Sequence, residues 1–122
     1  MTSVVLRPRV LVVDDDAAVR GVLSNVLADE GFEVVGAAAD GAEAVELARS
    51  LRPDTILLDV RMPGVDGIEA ARRIRALDPG VRLVMLSAYD DPTLLREAAD
   101  AGASRFLVKG CPLPDLVEAV AG

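Results

Sequence analysis

The 122-residue chain contains no histidine and no tryptophan, and only one cysteine, one tyrosine and two phenylalanines. Without histidine it has no Ser-His-Asp triad, no imidazole-ligated zinc and no phosphohistidine of its own. The lone Cys111 removes thiolate zinc sites and any internal disulfide, which fits a reducing cytoplasm. A metal on this chain must therefore be held by oxygen, and that selects a hard cation such as Mg²⁺. Aromatics at 2% give no stacking platform for single strands, and a net charge of −7 disfavours direct nucleic-acid binding. No apolar run approaches the roughly 20 residues that cross a bilayer. Residues 1–8 lack the charged start and long apolar core of a secretory leader.

What remains is a globular composition, 52% hydrophobic and 27% charged, in a chain long enough to bury one core. A single domain over residues 1–122, with its core at about residues 9–120, is expected. Short apolar runs alternate with helical periodicity throughout. The strands read as 9–13, 33–38, 54–58, 81–86 and 104–108. Between the first two, Val19, Val22, Leu23, Val26 and Leu27 recur at helical spacing after Asp16, and Gly31 ends the helix. Asp40 with Glu43 gives a capping-box pattern for the next helix, which turns Ala44, Leu47, Ala48 and Leu51 inward. Asp66-Gly67 opens the third, with Ile68, Ala71, Ile74 and Leu77 on its buried side and Arg72, Arg73 and Arg75 as a solvated charged face. Asp91-Pro92 reads as a cap and first-turn proline for the fourth. The fifth starts near Pro114, with Leu113, Leu116, Val117 and Val120 in register.

Repeated strand–helix units with right-handed crossovers give an α/β doubly wound parallel sheet. The flavodoxin-like strand order 2-1-3-4-5 sets strands one and three side by side at the switch point, where such sheets build their sites. Chemistry-bearing residues sit at those strand ends: Asp14-Asp15-Asp16 after the first, Asp59 after the third, Ser87 after the fourth and Lys109 after the fifth. Asp16 is the natural N-cap of the following helix. Two carboxylates held 5 Å apart repel by ~3 kcal/mol at an effective dielectric of 20. Such a cluster persists with compensating cations, which implies a divalent metal and the Lys109 ammonium. A hard cation, a hydroxyl and a lysine together are equipment for handling phosphate.

Taken in order, Val12-Val13-Asp14-Asp15-Asp16, Leu57-Leu58-Asp59-Val60-Arg61-Met62-Pro63-Gly64-Val65-Asp66-Gly67, Leu86-Ser87-Ala88 and Phe106-Leu107-Val108-Lys109 resemble a response-regulator receiver domain of two-component signalling. The resemblance runs from about Arg9 to Val120, and the final segment is most similar to the NarL/FixJ type. It implies that Asp59 is the phosphoacceptor for a sensor histidine kinase. It implies too that Asp15, Asp59 and the main-chain carbonyl of Arg61 ligate Mg²⁺, with Asp14 acting through a water. Lys109 would pair with Asp59 and then with the phosphoryl group. Ser87 would supply the hydroxyl that moves toward that group, and Phe106 the ring that turns inward behind it. Arg61 and Tyr89 would border the path of a hydrolytic water. Gly110 follows Lys109 where many relatives carry proline.

The resemblance leaves several functions open. One is a phosphorylation-activated switch that changes the surface of helix four, strand five and helix five. It would have at most self-phosphorylation and slow autodephosphorylation, and its output would be transcription through a DNA-binding domain absent from this chain, with a phosphorylation-dependent homodimer as a partner state. Another is a stand-alone receiver or docking module. A third is an Mg²⁺-dependent phosphohydrolase, which would need a second acid two positions after Asp59, where Arg61 stands.

Overall fold

A computed structural model describes residues 7–62 and 64–122. The first six residues and Pro63 of the Met62-Pro63-Gly64 motif lie outside the described residues. Ten elements alternate: β1 (Arg9–Val13), α1 (Ala17–Asp29), β2 (Glu33–Ala38), α2 (Gly41–Leu51), β3 (Thr55–Asp59), α3 (Gly67–Leu77), β4 (Arg82–Ser87), α4 (Pro92–Asp100), β5 (Arg105–Val108) and α5 (Leu113–Ala121). All strand pairs are parallel, in the order β2-β1-β3-β4-β5, as the sequence predicts.

The period-two alternation of the strands divides the interior into two cores. Leu11, Val13, Ile56, Leu58, Leu83 and Met85 face α2, α3 and α4, where they meet Ala44, Ala71, Ile74 and Ala98. Val10, Val12, Leu57, Val84 and Leu86 face α1 and α5, against Leu27, Leu116 and Val120. Because both faces are covered, every residue of β3 is buried, which explains its near-continuous apolar run.

Two strands are shifted by one residue from the boundaries the sequence suggests. β3 begins at Thr55 and includes Asp59, and β4 begins at Arg82 and includes Ser87. The ladder explains the shift: Asp59 still faces Leu86, and Ser87 still faces Val108. Asp59 and Ser87 are thus held by sheet pairing and do not hang on loops. β5 begins at Arg105, while Ser104 uses its Oγ to accept the Leu83 N–H at 3.2 Å.

The helix stripes are wider than the surfaces that cover them. Val22 is 61% exposed, Leu77 47% and Leu113 42%, against the inward positions their spacing suggests. Leu77 is the last residue of α3 and borders a shallow cleft with Ala48, Arg49, Arg52 and Asp78. Asp16, Asp40, Asp66 and Asp91 cap their helices as expected. The Glu43 carboxylate, however, accepts from Ala39 N–H and not from the cap residue's own.

Arg75 also departs from expectation. Arg72 and Arg73 are exposed and pair with Glu69, as a solvated face should. Arg75 instead donates from Nη1 to the carbonyls of Pro79 (2.8 Å) and Val81 (2.6 Å), and from Nη2 to that of Gly102 (2.7 Å). It closes the turns before β4 and after α4 onto one guanidinium. At the same end of the sheet, the last turn of α5 is fastened by Arg82 Nε to the Ala119 carbonyl (2.6 Å) and by Thr55 Oγ1 to that of Val120 (3.3 Å). The opposite end of α5, at Pro112, has no side-chain cap.

Candidate functional site

The carboxyl ends of β1, β3, β4 and β5 converge on one edge of the sheet. Val13 pairs with Leu58, so the next residues along, Asp14 and Asp59, lie side by side. Asp14, Asp59 and Ser87 are buried polar residues, while Asp15 is exposed. Carboxylate oxygens of Asp14, Asp15 and Asp59 all lie within 4.8 Å of one another.

One cation already serves this cluster. Lys109 Nζ lies 3.0 Å from Asp14 Oδ2 and 3.2 Å from Asp59 Oδ2. The remaining oxygens are held by the backbone: Asp14 Oδ1 accepts from Asp16 N–H at 2.9 Å, and Asp59 Oδ1 from Arg61 N–H at 3.4 Å. Burial pushes the Asp59 carboxyl above its ordinary pKa, the neighbouring Asp14 charge adds to the rise, and Lys109 opposes it. Burial would lower the Lys109 pKa, but its hydrogen bond to Asp14 and the charges of both aspartates outweigh that and raise it.

These donors fit a hard divalent cation. All three side chains offer anionic oxygen, they share one gap, and a lysine ammonium stands between two of them as a monovalent counterpart. The chain has no histidine, and the three cluster residues all offer oxygen.

Ser87 Oγ accepts from Tyr89 N–H at 3.1 Å, and the Ser87 carbonyl accepts from Lys109 N–H at 2.7 Å. The ends of β4 and β5 are therefore linked directly. Tyr89 is 64% exposed, and Arg61 is exposed as well. Phe106 pairs with Met85 in the sheet and is half-buried against the core shared with α4. Gly67 explains the Asp66-Gly67 pair: a Cβ there would overlap the Asp59 carbonyl. The first turn of α3 can thus pack directly behind the acidic strand end, and Gly67 N–H donates 2.8 Å to the Val60 carbonyl.

Two site features were not read from the sequence. The Lys109 contact to Asp14 is one, since the family resemblance implies only a pairing with Asp59. The other is Arg20, whose Nη1 donates to the Asp14 carbonyl at 2.7 Å. The available signal was a long cation one helical turn past an acidic strand end.

Comparison with known proteins agrees with this fold. The chain matches the family model of the response regulator receiver domain over residues 10–121. It is 44% identical over 114 residues to the transcriptional regulatory protein PdtaR of Mycobacterium tuberculosis, covering 92% of this chain and 54% of that protein. The chain thus spans about half the length of that curated relative. Among solved structures, the signal receiver domain of NarL from Mycobacterium tuberculosis superposes with a TM-score of 0.86 at 39% identity, covering 94% of each chain. A chain of the CheX–CheY–BeF3–Mg complex from Borrelia burgdorferi superposes with a TM-score of 0.87 at 32% identity, covering 92% of this chain and 85% of that one.

Proposed function

The chain belongs to the response regulator receiver domain family, and from that premise we propose that it is a phosphorylation-activated switch with Asp59 as phosphoacceptor. The observation that carries this reading is the buried Asp59 carboxylate, which shares one gap with Asp14, Asp15 and the Lys109 ammonium. A phosphohistidine of a sensor histidine kinase is the donor. An Asp59 oxygen attacks phosphorus, the P–N bond breaks as the P–O bond forms, and the histidine nitrogen leaves with the electron pair.

Asp15, Asp59 and the Arg61 carbonyl would hold Mg²⁺, with Asp14 acting through a water. Bound there, the ion would supply positive charge to offset that of the phosphoryl oxygens and the three carboxylates. The beryllofluoride and magnesium in the Borrelia complex support this choice of ion. Lys109 screens the incoming charge and then pairs with the phosphoryl group as a compact cation. Ser87 Oγ gives up its Tyr89 N–H contact and turns its hydroxyl to a phosphoryl oxygen. Phe106 follows into the vacated space, which alters the surface of α4, β5 and α5.

The output that fits best is transcription, through a DNA-binding region of a longer protein, since the transcriptional relative is about twice as long as the segment matched. A phosphorylation-dependent homodimer would be the active assembly, and the cytoplasm is where such a kinase domain and its target meet. Among the described residues no helix is long and apolar enough to cross a membrane. A phosphohydrolase is the weaker reading, because Arg61 occupies the place where that chemistry needs an acid and projects no carboxylate toward Asp59.

The test is labelling with acetyl phosphate and Mg²⁺. The wild type should take up one phosphoryl group and Asp59→Asn none, without sustained release of phosphate. Undiminished labelling of the variant would sink the assignment. Unchanged NMR shifts in α4 and α5 on adding beryllofluoride would sink the switch.

A further inference from the structure

Asp14 is tied at four points. Its N–H donates to the Ala38 carbonyl at 3.1 Å, its Oδ1 accepts from Asp16 N–H, its Oδ2 pairs with Lys109, and its carbonyl accepts from Arg20 Nη1 at 2.7 Å. Asp15 differs sharply. Its carboxylate is exposed, and among the described residues nothing donates a hydrogen bond to it or forms an ion pair with it. Yet this carboxylate lies in the gap shared with Asp14 and Asp59. Something other than its own contacts must aim it.

The peptide between residues 14 and 15 is planar, so the direction of the Asp14 carbonyl fixes the plane from which the Asp15 Cα departs. Arg20 holds that carbonyl from the first turns of α1, half-buried and with its own N–H bonded to the Asp16 carbonyl. We propose that Arg20 is a positioning residue of the metal site. It locks the 14–15 peptide plane so that the otherwise untethered Asp15 carboxylate faces Asp14 and Asp59. This inference rests on reading the acidic cluster as a Mg²⁺ site.

Charge and geometry pull in opposite directions here, and that makes the idea testable. A guanidinium bonded to the Asp14 carbonyl carries positive charge near the acidic cluster and disfavours a divalent cation there through simple Coulomb repulsion. If Arg20 acted through its charge alone, neutralising it would tighten Mg²⁺ binding. If it acts by aiming Asp15, neutralising it weakens Mg²⁺ binding despite the more negative site. Partners that orient metal ligands cost roughly 10–100-fold in affinity when removed.

The experiment compares Mg²⁺ dissociation constants of the wild type, R20M and R20K, taken from the Mg²⁺ dependence of the melting temperature. R20M should bind roughly tenfold more weakly, and R20K should recover most of the loss, since its ammonium can still donate to one carbonyl. R20Q, neutral and compatible with a helix, replaces R20M if that variant does not fold, with the same expected result. In a D15N background the Arg20 substitution should change Mg²⁺ affinity no further. Equal or tighter binding by the neutral variant, or an undiminished effect in the D15N background, overturns the inference. A wild type that does not respond to Mg²⁺ overturns the metal reading, and this inference with it.

Discussion

The Lys109 ammonium bridges Asp14 and Asp59, at 3.0 and 3.2 Å, and so belongs to the pair and not to Asp59 alone. Both aspartates are buried, while Lys109 is one-third exposed. Removing the lysine leaves two neighbouring buried carboxylates without a cation. Lys109→Met should therefore destabilise the metal-free protein by about 1–3 kcal/mol, discounted from a fully buried pair for solvent screening. Adding Mg²⁺ should recover much of the loss. A urea titration with and without Mg²⁺ measures both; an equal loss in the two conditions would mean the ammonium is not compensating the cluster.

Asp59→Asn should stabilise the metal-free fold at neutral pH by on the order of 1 kcal/mol, or a few degrees in Tm. The sign follows from the raised folded-state pKa of Asp59. A carboxyl that holds its proton more tightly when folded costs stability as pH rises from its unfolded value through its folded one. The advantage of the amide should thus vanish in acid, below the unfolded value, and reach its full size above the folded one. A pH-independent difference in Tm would show that burial and Asp14 do not act on the ionised form.

Mg²⁺ should raise the melting temperature of the wild type by several degrees at saturation, because the site exists only in the folded chain. Asp15→Ala should erase most of that increment while leaving the metal-free Tm nearly unchanged, since Asp15 is exposed. An intact Mg²⁺ shift in the variant would place the ion elsewhere.

Arg75→Ala should cost about 2–3 kcal/mol, because three carbonyls from two separate turns lose charged donors. Arg75→Lys should recover only part of this, since one ammonium cannot reach from both Nη positions. The Mg²⁺-induced shift should be unaffected, which thermal melts with and without the ion will check.

Arg61 and Tyr89 lie two residues beyond Asp59 and Ser87 and are both exposed. Neither carries a carboxylate or amide that could orient an attacking water. The aspartyl phosphate should accordingly be long-lived, and Arg61→Asn or Tyr89→Glu should shorten its lifetime severalfold. The decay of labelled protein after removal of the donor gives the rate, and unchanged decay in both variants would refute occlusion.

Much of this molecule was legible in its sequence, for identifiable reasons. The strand order and the meeting of Asp14 with Asp59 follow from repeated strand–helix units, because crossover handedness leaves few arrangements. Asp16, Asp40, Asp66 and Asp91 announced their helices through capping chemistry that acts within three residues. What stayed hidden depends on long side chains and on which surface covers which. Arg75 and Arg20 look like any helical arginine until distant carbonyls arrive within reach. Val22, Leu77 and Leu113 fit the helical period but extend past the area the sheet can cover, and periodicity carries no information about that width.

The fastening of α5 at one end turns the helix into a lever. Arg82 and Thr55 grip its last carbonyls at the edge remote from the acidic cluster, while its uncapped start follows Lys109 by only a few residues. A beam clamped at its far end answers a push at its near end by tilting. Its nine residues measure about 13 Å at 1.5 Å per residue, so an ångström of displacement beside Lys109, if pivoted at Arg82, would amount to roughly 4° of rotation. Loosening that pivot with Arg82→Ala would let the same push dissipate as sliding instead of rotation.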